Sequence, residues 1–211
     1  MTDLGAYISK KMVIAFSRKI SSLRKKTASI PFAKRKASYG VGGNTFRAFT
    51  GWKRKPSVVY REWAEVTTIS LNEKSLLQKS KSRDRFLVWH EQLAASLQAH
   101  WKRRQGMHLS VAHCMKCVDG YVAWLVSLKF DNGAGSVALE QVANCLLDQQ
   151  ILKKLNACYS NALPMGPKPS MGHITHIETY VFCQELIGAF VDVAGGTRIL
   201  FDRFGYKRGN G

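Results

Sequence analysis

Acid is nearly missing from the first 61 residues, which carry 15 Lys or Arg and a single carboxylate, Asp3. From Glu62 to Gly211 the chain holds 17 basic and 13 acidic side chains, so most of the formal charge of +18 lies in less than a third of its length. A charge so concentrated repels itself unless a polyanion neutralises it, and phosphate backbones are the commonest polyanions in a cell. Long apolar runs are missing too. The longest, Tyr121 to Leu128, is far short of the roughly 20 residues that a membrane-spanning helix needs. Cysteine is scarce: the five residues are an odd number, unevenly spread and without a signal peptide, which argues against a disulfide framework and for a reducing, cytoplasmic setting. No Gly-Lys-Ser/Thr follows the glycine-rich stretch and no dinucleotide-binding spacing occurs, which excludes a phosphate-binding loop of either kind. Clustered carboxylates are absent as well. Glu178, Glu185 and Asp192 share one helix at seven-residue spacing, the mark of an exposed face rather than of a magnesium site.

What is present begins with a basic amphipathic pattern over residues 4–26. Ile8, Met12, Phe16, Ile20 and Leu23 share one face, while Lys10, Lys11, Arg18, Arg24 and Lys25 project from the other. The apolar face is expected to dock on protein and leave the cations free. A solvated tail and an organellar transit peptide, which is also Lys/Arg- and Ser-rich and poor in acid, are the rival readings of this end.

Pro31 and the cations Lys34, Arg35 and Lys36 follow. Next comes Gly40-Val41-Gly42-Gly43-Asn44-Thr45-Phe46, which lets the backbone approach a ligand closely. Around it, Tyr39, Phe46, Phe49 and Trp52 are interleaved with Arg47, Lys53, Arg54 and Lys55. Aromatic faces stack on unpaired bases while cations hold the backbone, and a loop whose aromatics plug the core is the competing reading. Asn44 and Arg47 are the candidates for reading base edges. Arg83 and Arg85, with Lys79, Lys81 and Lys102-Arg103-Arg104, would extend the patch into a groove if the intervening helix folded back.

The pattern predicts strands over 57–69, a helix over 71–81 capped by Asn72, and a strand from Phe86 to Trp89 leading into a helix stopped at Gly106. A hairpin of 108–118 and 121–130 would turn at Asp119-Gly120. One helix is expected over 136–159, a Pro/Gly-rich linker over 164–169, a helix over 175–194 ending at Gly195-Gly196, and a last strand over 197–204. The fold class expected is therefore α+β: a basic N-terminal helix and glycine/aromatic loop, a central β-hairpin, and C-terminal helices on a small antiparallel sheet. Residues 1–61 would form a basic arm or subdomain and residues 62–211 the core domain.

Cys114 and Cys117 form a Cys-x-x-Cys with His113 beside it, but nothing completes a metal site. The nearest candidates, His173 and His176, are remote and too closely spaced. In a strand, residues three apart face opposite ways, so buried thiols are expected and no metal or cofactor is assigned. His90, His100 and His108 could serve metal-free RNA cleavage, but nothing in the sequence pairs them.

The glycine segment with Asn44-Thr45-Phe46, and the run Pro56-Ser57-Val58-Val59-Tyr60-Arg61-Glu62-Trp63-Ala64, resemble over roughly thirty residues the N-terminal part of the small Cas8-like subunit of type IV CRISPR complexes. In that family the region looks like a zinc-binding module with two cysteine pairs. Here Tyr60 and Trp63 stand where one pair would fall, and the other has no counterpart. The resemblance implies a non-catalytic subunit of an RNA-guided complex that touches the guide RNA end and the target duplex, with packing in place of zinc.

The function expected is a non-enzymatic nucleic-acid-binding subunit of a ribonucleoprotein. Its partners would be RNA or DNA and other protein subunits, and not a membrane. A ribosome-like structural protein with a basic arm is the alternative, and a nuclease or RNA-processing enzyme a further one.

Overall fold

Residues that start and stop helices punctuate this chain, and the computed structural model uses most of them. It describes residues 4–35, 37–49, 52–166 and 168–205, apart from the side chains of Leu4, Asn44, Arg47 and Ala48. In chain order the elements are α1 (Lys10–Ser17), α2 (Ile20–Arg24), β1 (Ile30–Pro31), α3 (Pro56–Ile69), α4 (Glu73–Lys79), α5 (Arg83–Gln105), α6 (Val111–Ser127), β2 (Leu128–Lys129), α7 (Ala134–Val142), α8 (Gln149–Cys158), α9 (Ile177–Ala194) and α10 (Arg198–Gly205). Short 3₁₀ turns cover Leu4–Tyr7, Phe32–Lys34, Gly43–Ala48 and Met171–His173.

The fold is helical, not α+β. Among the described residues the only sheet is β1 and β2, a parallel pair two residues long with Ile30 opposite Leu128. Asn72 caps α4 as expected, accepting from the Ser75 amide at 2.8 Å while Ser75 Oγ accepts from the Asn72 amide at 2.9 Å. Gly106 and Gly195 end α5 and α9 in the left-handed conformation at φ 78° and 71°.

Five expected elements are corrected. Residues 57–69 are helix α3 rather than strands. Pro56 sits in its first turn, where no N–H is needed, and Val59, Tyr60, Trp63, Ala64 and Thr68 bury one face. The hydroxyls of Thr67 and Thr68 donate to the carbonyls of Trp63 and Ala64 four residues back, so the β-branched pair is absorbed by the helix. The expected hairpin is the single helix α6, with Asp119 and Gly120 buried inside it. Asp119 Oδ1 lies 2.8 Å from His90 Nε2 of α5. Gly120 lies where the backbone of Gly40, at φ 81°, comes against the helix, and a Cβ on Gly40 would meet the Gly120 carbonyl and the Trp124 Cβ. Residues 86–89 are helical from the outset, since Ser82 accepts from the Arg85 amide and starts α5 before them. Residues 198–204 are helical, as part of α10, and not a strand, with Ile199, Leu200 and Phe201 buried and the Thr197 hydroxyl just before the helix accepting from the Leu200 amide. The helix expected over 136–159 is two helices, α7 and α8, because residues 143–148 run without helix until Asp148 caps α8 through the Ile151 amide.

Contacts divide the chain into two units: residues up to Lys26 together with those from Asn144 onward, and residues 27–143. The segment 1–61 is thus shared between the two units. In the first, the pattern expected over 4–26 is broken into a 3₁₀ turn, α1 and α2, yet its faces are kept. Phe16 is fully buried, its ring centroid 5.8 Å from Phe190 and 5.2 Å from Phe204, and Ile8, Met12, Ile20 and Leu23 are half-buried on the same side. In the second unit, α3, α5 and α6 enclose Tyr60, Trp63, Leu97, Trp101 and Tyr121, all buried.

Three glutamines stand in for missing sheet. Gln98, Gln105 and Gln184 each accept a backbone N–H and donate to the carbonyl of the same residue, Leu109, Arg54 and Cys145 respectively, at 2.7–3.0 Å. A primary amide presents its donor and acceptor side by side, so it can satisfy an irregular segment as a neighbouring strand would.

Candidate nucleic-acid interface

The structure separates the cations of the first 61 residues from the aromatics among them. Tyr39 is buried, its carbonyl accepting from the Tyr60 hydroxyl at 2.6 Å and its ring 5.0 Å from Trp124. Phe49 is buried against Trp101 and His113. Phe46 is half-buried against Phe49 and Tyr60, and Trp52 is half-buried with its ring edge-on to Trp101 at 5.5 Å. In this arrangement these rings serve the core of the second unit, so the plugging reading of the loop describes them. Lys36 and the side chains of Asn44 and Arg47 lie outside the described residues.

The cations are on the surface. Lys10, Lys11, Arg18, Arg24 and Lys25 are exposed on and after α1 and α2 in the first unit. In the second unit Lys34 and Arg35 are exposed, the Arg35 guanidinium lying 4.1 Å above the Phe32 ring. Arg85 is exposed near the start of α5. Arg83 is drawn inward: it donates to the Val142 carbonyl at 2.5 Å and covers the Phe86 ring at 5.4 Å. The condition for joining this group to Lys102–Arg104, a folding back between them, is not met, since α5 runs unbroken from Arg83 to Gln105. They lie toward opposite ends of the 23-residue α5, about 25–32 Å apart at the usual helical rise.

What the structure does bring together is Lys53-Arg54-Lys55 and Lys102-Arg103-Arg104. Gln105, 2% exposed, ends α5 and clamps the backbone of Arg54 through both ends of its amide. Lys53 Nζ reaches over Gly106, at the helix end where carbonyls favour positive charge. All six cations are exposed. Sequence reasoning named the first three for binding, and it treated Lys102–Arg104 as a helix-end feature and a conditional extension. The buried glutamine that joins them has no sequence signal of its own.

One carboxylate is set among them. Glu62, half-buried on α3, has Oε2 2.9 Å from Arg104 Nε and 3.6 Å from His100 Nε2, and Oε1 3.8 Å from Arg54 Nη1. His100 Nδ1 accepts from Arg103 at 3.1 Å. Burial, with Arg103 and Arg104 close by, holds the His100 imidazole below its ordinary value, and Glu62 only partly offsets this. Beside these groups a groove of about 540 Å³ runs between α3 and α5.

Cys114 and Cys117 lie on α6, not on a strand, and both are buried in the core. Burial pushes the Cys114 thiol up to about 12 and the Cys117 thiol higher still. Among the described residues no three His, Cys, Asp or Glu side chains converge so as to hold a metal ion. Tyr60 and Trp63, which stand where the resemblance would put a cysteine pair, are buried with ring centroids 5.7 Å apart. No described helix is long and apolar enough to cross a membrane. Comparison with protein-family models, curated proteins and solved structures finds no match to this chain.

Proposed function

We propose that this chain is a non-enzymatic nucleic-acid-binding subunit of a ribonucleoprotein, and that its exposed cations contact the phosphate backbone. The observation that carries the proposal is the Gln105 clamp, which makes one exposed surface of Lys53, Arg54, Lys55, Lys102, Arg103 and Arg104 in a chain of formal charge +18. Clustered exposed cations bind a phosphate backbone without reading sequence. With Tyr39 and Phe49 in the core, backbone contact rather than base stacking leads. Lys10, Lys11, Arg18 and Lys25 add a second exposed set on α1 and after α2.

The similarity of residues 44–46 and 56–64 to small Cas8-like subunits favours an RNA-guided, DNA-targeting assembly among ribonucleoproteins, and with it a cytoplasmic setting. Protein neighbours are supported by α9, where Val181, Phe182 and Val193 are exposed among Glu178, Glu185 and Asp192.

The experiment is to purify the protein from cells without nuclease and sequence the nucleic acid that accompanies it. A discrete small RNA with attached proteins supports the guided assembly, and ribosomal RNA supports the structural-arm alternative. Absence of any nucleic acid at low salt removes the proposal.

A further inference from the structure

Glu62 is a carboxylate with nitrogen donors on three sides, two of them arginines. Arg104 and His100 approach one carboxylate oxygen and Arg54 the other. A carboxylate held this way occupies the place that a phosphate oxygen takes in an arginine-lined site. His100 Nε2 faces the same spot. Because Nδ1 accepts from Arg103, the neutral ring carries its hydrogen on Nε2, and that atom and Glu62 Oε2, 3.6 Å apart, face each other buried and without a well-formed hydrogen bond. A buried N–H with only a long contact to its acceptor is costly and marks a position where a closer acceptor would be held. The adjoining groove, about 540 Å³, falls in the range of small-molecule pockets, with Thr67 and Val66 on one wall and Ser96 and Arg103 on the other. Val66 is 69% exposed, which leaves an apolar ledge beside the charged end.

We propose that the α3–α5 groove is a phosphate subsite that takes one nucleotide of a bound strand, with Glu62 holding the phosphate's place in the empty site. This rests on the nucleic-acid reading above and adds a defined position to it. The phosphate would take the donors Arg104 Nε and His100 Nε2, and Glu62 would turn toward solvent, as its half-exposed side chain allows. The charges facing His100 are Glu62 and Glu65 from α3, Arg103 and Arg104 from α5, and Arg54 from the preceding loop. Six exposed cations around two acids leave the site positive. His100 is held neutral near pH 7 by burial and its arginine neighbours. A strand phosphodiester, singly charged throughout this range, stabilises the imidazolium at Nε2, so strand binding raises the His100 pKa and tightens as pH falls through it.

The test is an NMR titration of the histidine ring protons of the full chain with inorganic phosphate and with uridine 5′-monophosphate, up to about 10 mM, a range that captures weak millimolar affinity. The expected result is that His100 shifts and its pKa rises, with uridine 5′-monophosphate binding more tightly than phosphate if the groove wall contributes. Glu62→Gln removes the resident charge and should tighten binding several-fold, whereas Arg104→Ala should weaken it on the order of tenfold. Thermal unfolding of both variants checks that they fold. If neither probe moves His100, or if Glu62→Gln binds no tighter, the subsite is wrong. An oligonucleotide titration on the same samples separates the two proposals. Strand binding with His100 unmoved leaves the nucleic-acid reading and removes the subsite, and the reverse result removes the reading and leaves a mononucleotide site.

Discussion

The side-chain amide of Gln105 holds both backbone groups of Arg54: the Arg54 N–H donates to Oε1 at 3.0 Å and Nε2 donates to the Arg54 carbonyl at 2.8 Å. The residues are 51 apart in sequence, and the two bonds join a loop carrying three cations to a helix end carrying three more. Gln105→Leu keeps the volume and removes both partners from part-buried peptide groups. We expect a loss of about 2 kcal/mol in stability, read by urea denaturation. Oligonucleotide affinity should also fall several-fold although no charge has changed. Unchanged affinity in the folded variant would show that the two triplets act separately.

Gly40 lies at φ 81° with its α-carbon against Gly120 and Trp124 of α6. Gly40→Ala combines a left-handed backbone with an overpacked contact, and should cost about 3 kcal/mol or more. Gly42→Ala meets nothing within 4 Å and serves as the control. Equal melting temperatures for the two variants would contradict the close approach of residue 40 to α6.

All five cysteines are buried thiols outside any disulfide. Burial raises the thiols of Cys114 and Cys158 to about 12 and that of Cys183 to about 11, so almost no thiolate exists at pH 8. A disulfide-exchange reagent should label none of them in the native protein and five in denaturant. Rapid native labelling of any one would show that its segment opens.

His113 packs its ring 4.2 Å from Phe49, and burial, aided by Lys116, lowers its pKa. A lowered folded value means that the unfolded chain binds more protons between that value and about 6.5. Stability contributed by neutral His113 is therefore complete above pH 6.5 and is lost as pH falls through that window. His100 has the same sign. His113→Phe should flatten the fall in melting temperature between pH 7 and 5, and an unchanged pH profile would show that His113 is not its source.

Much of the helix punctuation was legible: Asn72, Gly106 and Gly195 act locally, through their own backbone or a residue three positions away. Asp119-Gly120 was misread because its meaning is tertiary. A dipeptide suited to a turn sits inside α6, where His90 satisfies the aspartate and Gly40 requires the glycine. Thr67 and Thr68 favoured a strand by propensity, and Pro56, placed for a helix start, was the overlooked counter-signal. The exposed cations of α1 and of residues 53–55 were readable from spacing and charge. Which aromatics face inward was not, because Tyr39 and Phe49 are buried by contacts with Trp124, Trp101 and His113 that lie 60 or more positions away for His113 and Trp124. Glu62 carried no signal either, since its meaning depends on α3 lying beside the last turns of α5.

The central claim is tested most directly by the salt dependence of oligonucleotide affinity in the wild-type chain and in a variant with Lys53, Arg54, Lys55, Lys102 and Arg103 changed to Ser. A surface making about six phosphate contacts predicts a loss of roughly a thousandfold between 50 and 200 mM salt, linear on logarithmic axes. The variant should show a slope shallower by several units while keeping its helical content. A wild-type affinity that does not change with salt, or a variant with the wild-type slope, would contradict the account.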